Sequence, residues 1–289
     1  MSWTAADLPS FAGRTVVVTG ANSGLGEVTA REFARVGAQV ILACRNTAKG
    51  QAAAARMTGD VTVRPLDLQS LASVREFAAG MDRVDVLINN AGIMAVPYAL
   101  TSDGFESQVG TNHLGHFALT NLLLPKITER VVTVSSMAHL IGRVDLDDLN
   151  FTTRRYSAWL AYGQSKLANL LFTKDLHRRL ERAGSPVRAL AAHPGYSATN
   201  LQGHSGNALG TAVAVVSNRL VATTPDFGAR QTLFAASHNL PGNTFVGPKY
   251  GMFGPTGPTT MISPAARSGR TAAALWDLSS QLTSTEFSL

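Results

Sequence analysis

The sequence predicts one α/β domain built on a mainly parallel sheet with helices on both faces, and three observations carry that expectation. Short apolar runs alternate with longer segments of helical periodicity along most of the 289 residues, as strands joined by crossover helices require. The runs are apolar without interruption, which places their strands under cover on both sides. The first run leads straight into a glycine-rich turn and a helical pattern.

The elements follow in order. TVVVTG (15–20) is the first strand and 24–36 the first helix; QVILAC (39–44) is followed by a helix at 47–58. VTVRPL (61–66) contains Pro65, which cannot donate a ladder hydrogen bond, so this third strand belongs at a sheet edge. A helix at 70–80, the strand DVLINN (85–90), a helix at 105–124 and the strand RVVTVSS (130–136) come next. The helix at 158–183, the strand VRALAAH (187–193), a helix at 226–237, a weaker strand TFVGP (244–248) and a helix at 268–282 complete the series. A third strand at the edge agrees with the doubly wound Rossmann order 3-2-1-4-5-6, here with six to seven strands. Three stretches break the alternation: 138–157, 196–225 and the Gly/Pro-rich 247–258. Long irregular connections tend to be lids or binding loops. Residues 1–289 therefore read as a single domain, with a core over 13–195, a substrate loop or lid at 196–225, and C-terminal helices and a substrate wall at 226–289.

Composition excludes several classes. With 45% apolar and 15% charged residues the chain is neither a disordered tail nor a disulfide mini-scaffold. A lone Cys44 closes no internal disulfide and fits a reducing, cytoplasmic setting. No Cys/His cluster has zinc spacing; His113 and His116 lie one helical turn apart without a third ligand, so no metal is expected. The N-terminus lacks a basic start with an apolar core, and no run reaches a membrane span, so neither signal peptide nor anchor is expected. The net charge of +6, from 25 basic and 19 acidic residues, reads as a soluble surface. Its densest basic stretch, His177 to Arg188, includes Glu181 and sits where a helix ends, which favours cations through the helix dipole. Nucleic-acid binding is not expected; it would require an affinity that collapses with salt.

The chemistry concentrates at predicted strand ends. Gly20-Ala21-Asn22-Ser23-Gly24-Leu25-Gly26 lies between the first strand and a helix, where glycines let a backbone approach a pyrophosphate and the helix amides favour its charge. Tyr162 and Lys166 are four residues apart, hence on one helix face, and no other tyrosine has Lys at that offset. A free phenol titrates near 10, and a neighbouring ammonium would stabilise its phenolate. An exposed Tyr/Lys pair is the alternative. Ser135 and Ser136 end the fifth strand and Asn89-Asn90-Ala91-Gly92 the fourth; each could also be an ordinary turn, and Asn112 an ordinary helix residue.

Taken together, TGANSGLG (19–26), NNAG (89–92), Asn112, Ser135-Ser136 and YGQSK (162–166) resemble the classical short-chain dehydrogenases/reductases over about residues 13–200. The resemblance implies Tyr162 as general acid/base, with Lys166 lowering its pKa and holding the nicotinamide ribose. It implies Ser136, two residues beyond Val134, on the substrate oxygen, and Asn112 anchoring a proton relay. It also places Asp67 and Leu68 at the adenine, Asn90, Ala91 and Gly92 beside the ribose, and Pro194, Gly195 and Thr199 at the carboxamide. Ser136 and Tyr162 are 26 residues apart, about twice the spacing in compact members. That insertion, with ACRN (43–46) and SKLANLLF (165–172), resembles the retinol dehydrogenase-like and protochlorophyllide reductase-like branch. Its retinoid enzymes commonly carry a membrane anchor, which is not expected here.

For the cofactor, Cys44 stands where NAD-preferring members place an acid, and Arg45 follows it. An uncharged residue beside a guanidinium accepts a 2′-phosphate, so NADP(H) is favoured over NAD(H). Ser23 and Glu27, where NADP-preferring relatives often carry Lys or Arg, leave Arg45 largely alone. The reading is an NAD(P)-dependent oxidoreductase interconverting a carbonyl and an alcohol on a small molecule. Leu201, Leu209, Val213 and Val216 point to a hydrophobic substrate or, equally, to a helix packed on the core. The rival is a non-catalytic NAD(P)-binding sensor, disfavoured because Tyr162 and Lys166 are both present. Leu167, Leu170, Leu171 and Leu176 leave open whether helix 158–183 faces a second subunit, as in a homo-oligomer, or its own core.

Overall fold

The structure, a computed structural model, describes residues 3–195 and 224–289. Among the described residues, eight strands form one sheet in the order β3-β2-β1-β4-β5-β6-β7-β8. They are β1 (Thr15–Thr19), β2 (Gln39–Cys44), β3 (Asp60–Pro65), β4 (Val84–Asn89), β5 (Ile127–Val134), β6 (Arg188–Ala192), β7 (Phe245–Pro248) and β8 (Thr256–Pro258). Pro65 indeed lies in the edge strand β3. The first seven strands pair in parallel. The eighth exceeds the six or seven expected: three residues within the Gly/Pro-rich segment pair antiparallel with β7, without an apolar run to announce them.

Strand periodicity divides the core. Val16, Val18, Val40, Leu42, Val86 and Ile88 face a cluster with Phe33 and Leu233, whereas Val17, Ile41 and Leu87 face Phe77, Phe117 and Phe172. The first cluster is closed by α1 (Gly24–Arg35) and α7 (Pro225–Ser237). The second lies under α3 (Leu71–Ala79), α5 (Gly115–Leu123), α6 (Ala158–Arg182) and α8 (Gly269–Thr283). A short α2 (Thr47–Ala54) follows β2. Each large side chain so buried contributes about 1.5–3 kcal/mol. The helix expected at 105–124 is broken into α4 (Ser107–Val109), a wide π turn over Gly110–Leu114 and α5. In that turn the Gly115 amide donates to the Gly110 carbonyl, five residues back.

The question left open by helix 158–183 is answered for its leucines: Leu167, Leu170, Leu171 and Leu176 are buried in this chain. Helix α8 packs along α6, with Trp276 stacked on Phe172 at 5.8 Å and 16°. Among the described residues no helix is long and apolar enough to cross a membrane.

The insertion between β5 and α6 is organised around one carboxylate. Asp148 accepts from the amides and hydroxyls of Thr152 and Thr153 and from the Arg154 amide. Arg154 in turn reaches Gln164 Oε1 at 2.6 Å, while Gln164 Nε2 donates to the Leu149 carbonyl at 2.9 Å. The insertion is thus bolted to α6 two residues from Tyr162. These donors hold the Asp148 carboxyl well below the usual carboxylate range. A depressed folded pKa supplies stability that is present above the unfolded value and is lost as pH falls towards the folded one. Asp148→Asn should therefore cost about 1–3 kcal/mol at pH 7, with the deficit shrinking below about pH 4. Thermal melts of both proteins at neutral and acid pH check this, and a pH-independent difference would contradict it.

Candidate active site

The C-terminal ends of β1, β2, β4 and β5 open onto a cleft of about 430 Å³. It lies where the strand order reverses between β1 and β4, the position at which open parallel sheets bind ligands. Gly20, Asn22, Ser23, Gly24, Leu25 and Gly26 line one end. Gly20 has φ +65°, and a Cβ there would stand 2.9 Å from Ala91. At Gly26 a Cβ would stand 2.5 Å from both the Asn90 amide nitrogen and the Gly20 carbonyl. Those two positions admit no side chain because β1, α1 and the turn after β4 meet there. First-turn helix amides have no partner within the helix, so α1 turns unpaired donors towards the cleft.

Asn90, Ala91 and Gly92 line the cleft from the end of β4. Thr19, the first residue of the TGANSGLG motif and given no role of its own from the sequence, holds this turn: its hydroxyl accepts from the Asn90 and Ala91 amides at 2.9 Å each. The Asn90 side chain donates to the Thr19 carbonyl at 2.8 Å. His116 meets the same hydroxyl at 2.9 Å, and His113 meets Ser279 Oγ at 2.9 Å. The two histidines thus have separate partners, and burial pushes them down to about 4 and about 3 respectively.

Beyond β2 the wall comprises Cys44, Arg45, Asn46 and Lys49, facing Asp67 and Leu68. Lys49 was not anticipated, although it falls four residues after Arg45. Asn46 caps α2 by accepting from the Lys49 amide at 2.9 Å, which fixes the turn carrying both cations.

At the other end Tyr162 and Lys166 line the cleft from α6. Both are buried, at 7% and 4% exposure. The exposed-pair alternative therefore does not hold. Lys166 Nζ lies 5.7 Å from the Tyr162 ring centre and donates to the Val134 carbonyl at 3.1 Å. The two serines separate cleanly. Ser135 is a lining residue, but its hydroxyl donates to the Lys166 carbonyl at 2.8 Å. The Ser136 hydroxyl interacts with the Tyr162 phenol.

The electrostatics depart from expectation. Burial pushes the Tyr162 phenol up to about 12, opposed by the Ser136 contact, and brings Lys166 down to about 8. The expected lowering of the phenol by Lys166 is not produced by the chain's own groups. Withdrawal from water penalises the phenolate and the ammonium alike.

Among the described residues, three predicted ones are not in the lining. Asn112 sits behind it, fully buried, where its amide accepts from the Ile93 N–H and donates to the Ile93 carbonyl and Ser165 Oγ. Ser136 lies beside Tyr162 rather than on the cleft wall, and Gly195, with φ +71°, packs against the Met252 carbonyl. Pro194 is a lining residue. Thr199, the 196–225 loop up to residue 223, and the apolar residues Leu201, Leu209, Val213 and Val216 lie outside the described residues.

Comparison with known proteins agrees with this arrangement. Human retinol dehydrogenase 13 is 53% identical over 207 residues, covering 67% of this chain and 62% of that protein. The aligned part thus spans less than two thirds of that relative's length. Human retinol dehydrogenase 12 is 42% identical over 284 residues, covering 93% of this chain and 86% of the other. A crystal structure of an uncharacterized protein from Mycobacterium Paratuberculosis superposes with a TM-score of 0.89 at 65% identity, over 100% of both chains. The RhlG/NADP complex of Pseudomonas aeruginosa shares the fold at a TM-score of 0.65 and 24% identity, over 82% of this chain and 95% of that one. The family model of the short chain dehydrogenases matches residues 14–209. With a nucleotide-sized cleft at the switch point, and with that match across most of the sheet, the chain belongs to the short chain dehydrogenase family of oxidoreductases.

Proposed function

We propose that the protein interconverts a carbonyl and an alcohol on an apolar small molecule with NADP(H), Tyr162 handling the oxygen's proton. The observation that carries this reading is the shared cleft. Its glycine-lined end admits no side chain at Gly20 or Gly26, and its other end holds a buried phenol and ammonium one helical turn apart. The residues fit a dinucleotide: helix amides for the pyrophosphate, Asp67 and Leu68 for the adenine, and Asn90, Ala91 and Gly92 for the ribose. Pro194, Gly195 and Thr199 take the carboxamide by the same family resemblance. Arg45 and Lys49, with uncharged Cys44 ending β2 beside them, favour a 2′-phosphate. When bound, the nicotinamide supplies or accepts the hydride.

The chain's own groups do the rest. Tyr162 donates its proton to the carbonyl oxygen in reduction and takes it back in oxidation. Ser136 hydrogen-bonds the same oxygen. Lys166 holds the ribose, and Asn112 anchors the proton relay from behind. An apolar substrate is favoured by the retinol dehydrogenase relatives and by Trp159, half exposed and edge-on to Tyr162 at 6.2 Å.

The test is to follow reduced-cofactor absorbance while aromatic, steroid, retinoid and aliphatic carbonyls are supplied with NADPH or NADH. A phenol at about 12 is protonated at neutral pH and ready to donate. Carbonyl reduction should therefore be nearly flat over about pH 6–8, while alcohol oxidation, which needs the phenolate, climbs with pH. Oxidation independent of pH over that range would remove Tyr162 as the base.

A further inference from the structure

We propose that His139 is a positioning residue whose imidazole fixes the Ser136 peptide, so that the serine hydroxyl faces Tyr162, and ties that peptide to the C-terminal segment at Ser263. The inference rests on the function proposed above.

Ser136 opens a short 3-10 turn, Met137–Leu140, and turns of that kind hold weakly by themselves. Its hydroxyl accepts from the Ala138 amide at 3.2 Å, which leaves its proton and a second lone pair for the Tyr162 side. Its carbonyl accepts twice from one residue: from the His139 amide at 3.1 Å and from His139 Nδ1 at 2.7 Å. On the other side of the ring, Nε2 accepts from the Ser263 amide at 3.2 Å, across 124 residues of sequence.

These partners determine the tautomer. A carbonyl only accepts, so Nδ1 carries the hydrogen; an amide only donates, so Nε2 carries none. The imidazole is neutral and both nitrogens are used. An imidazolium would turn a second N–H against the Ser263 amide. The surroundings are consistent: the ring is fully buried, edge-on to Phe245 at 5.7 Å and 89°, and burial lowers its pKa. His193, close enough to interact with it, is likewise held neutral by burial. Releasing the peptide at residue 136 would move the serine oxygen relative to the phenol. Misplacement of a reacting group by about 1 Å costs on the order of 100-fold in rate.

The two ring nitrogens can be tested separately. In His139→Asn the amide nitrogen occupies the Nδ1 position and keeps the bond to the Ser136 carbonyl. In His139→Gln the amide reaches the Nε2 position and keeps only the Ser263 link. With NADPH, and with all-trans-retinal and 4-nitrobenzaldehyde as carbonyl probes, kcat should fall on the order of 100-fold in the Gln variant. The Asn variant should stay within roughly tenfold of the wild type, the worth of one net hydrogen bond. NADPH affinity, measured by cofactor fluorescence, should be unchanged in both, which also reports that they are folded. Imidazole 15N shifts of histidine-labelled protein should show the Nδ1–H form.

Equal kcat in the two variants, a parallel loss of NADPH affinity, or the Nε2–H form at residue 139 would each overturn the positioning role while the enzymatic reading stood. A wild type inert towards both probes would take the proposed function and this role down together.

Discussion

Tyr162→Phe should lower turnover by about 10²–10⁴-fold, the usual worth of a positioned general acid/base, while NADPH still binds. The substitution is unusually clean here. Phe keeps the ring that meets Trp159 at 6.2 Å and lies near Lys166. Lys166 keeps its bond to the Val134 carbonyl. What disappears is one hydroxyl, together with its contact to Ser136. Because that hydroxyl is buried and its phenolate disfavoured, its removal should leave thermal stability nearly intact. Turnover unchanged in this variant would end the proton-transfer assignment, and it would do so without ambiguity about folding. Retained binding with lost turnover would also separate an enzyme from a mere sensor, since a sensor has no turnover to lose.

Removal of the two cations beyond β2 should have the next largest effect. Arg45→Ala and Lys49→Ala should each weaken NADPH binding about tenfold, and together about 100-fold, with little loss for NADH. The basis is a charge-assisted hydrogen bond of about 1.5–3 kcal/mol, taken at its low end because both residues are exposed and water screens them. The discrimination should shrink as salt is added, since the Debye length falls to about 3 Å at 1 M. Titrations of both cofactors against the single and double variants provide the measurement. Equal losses for NADPH and NADH would remove this pair from the phosphate site and leave cofactor choice to other contacts.

The parts of the fold and of the candidate site that were legible in the sequence share a physical character. Pro65 reported an edge strand because a missing N–H is a property of one residue, wherever the chain goes. The Tyr162–Lys166 offset reported a shared helix face because 3.6 residues per turn is enforced by the backbone. The glycine turn was readable for the same reason. Other features had no such local signature. Strand β8 has three residues and no apolar run. Lys49 became a cleft residue only when the Asn46 cap turned α2 back towards Arg45. Ser135 and Ser136 look alike in sequence, and the Lys166 carbonyl separates them by taking one hydroxyl.

Sequence alone determined seven of the eight described strands, most helices, the fold family and most of the residues that line the cleft. Those follow from backbone periodicity, steric permission and the solvent preference of neighbouring side chains, all set within a few residues. Tertiary structure decided which donor meets which acceptor and how much water each charge loses. Asn112 ended as a clamp on Ile93, His139 as a bridge to Ser263, and the Tyr162 phenol higher rather than lower. Partnership and desolvation depend on groups that arrive from distant segments, and no local rule of sequence contains their positions.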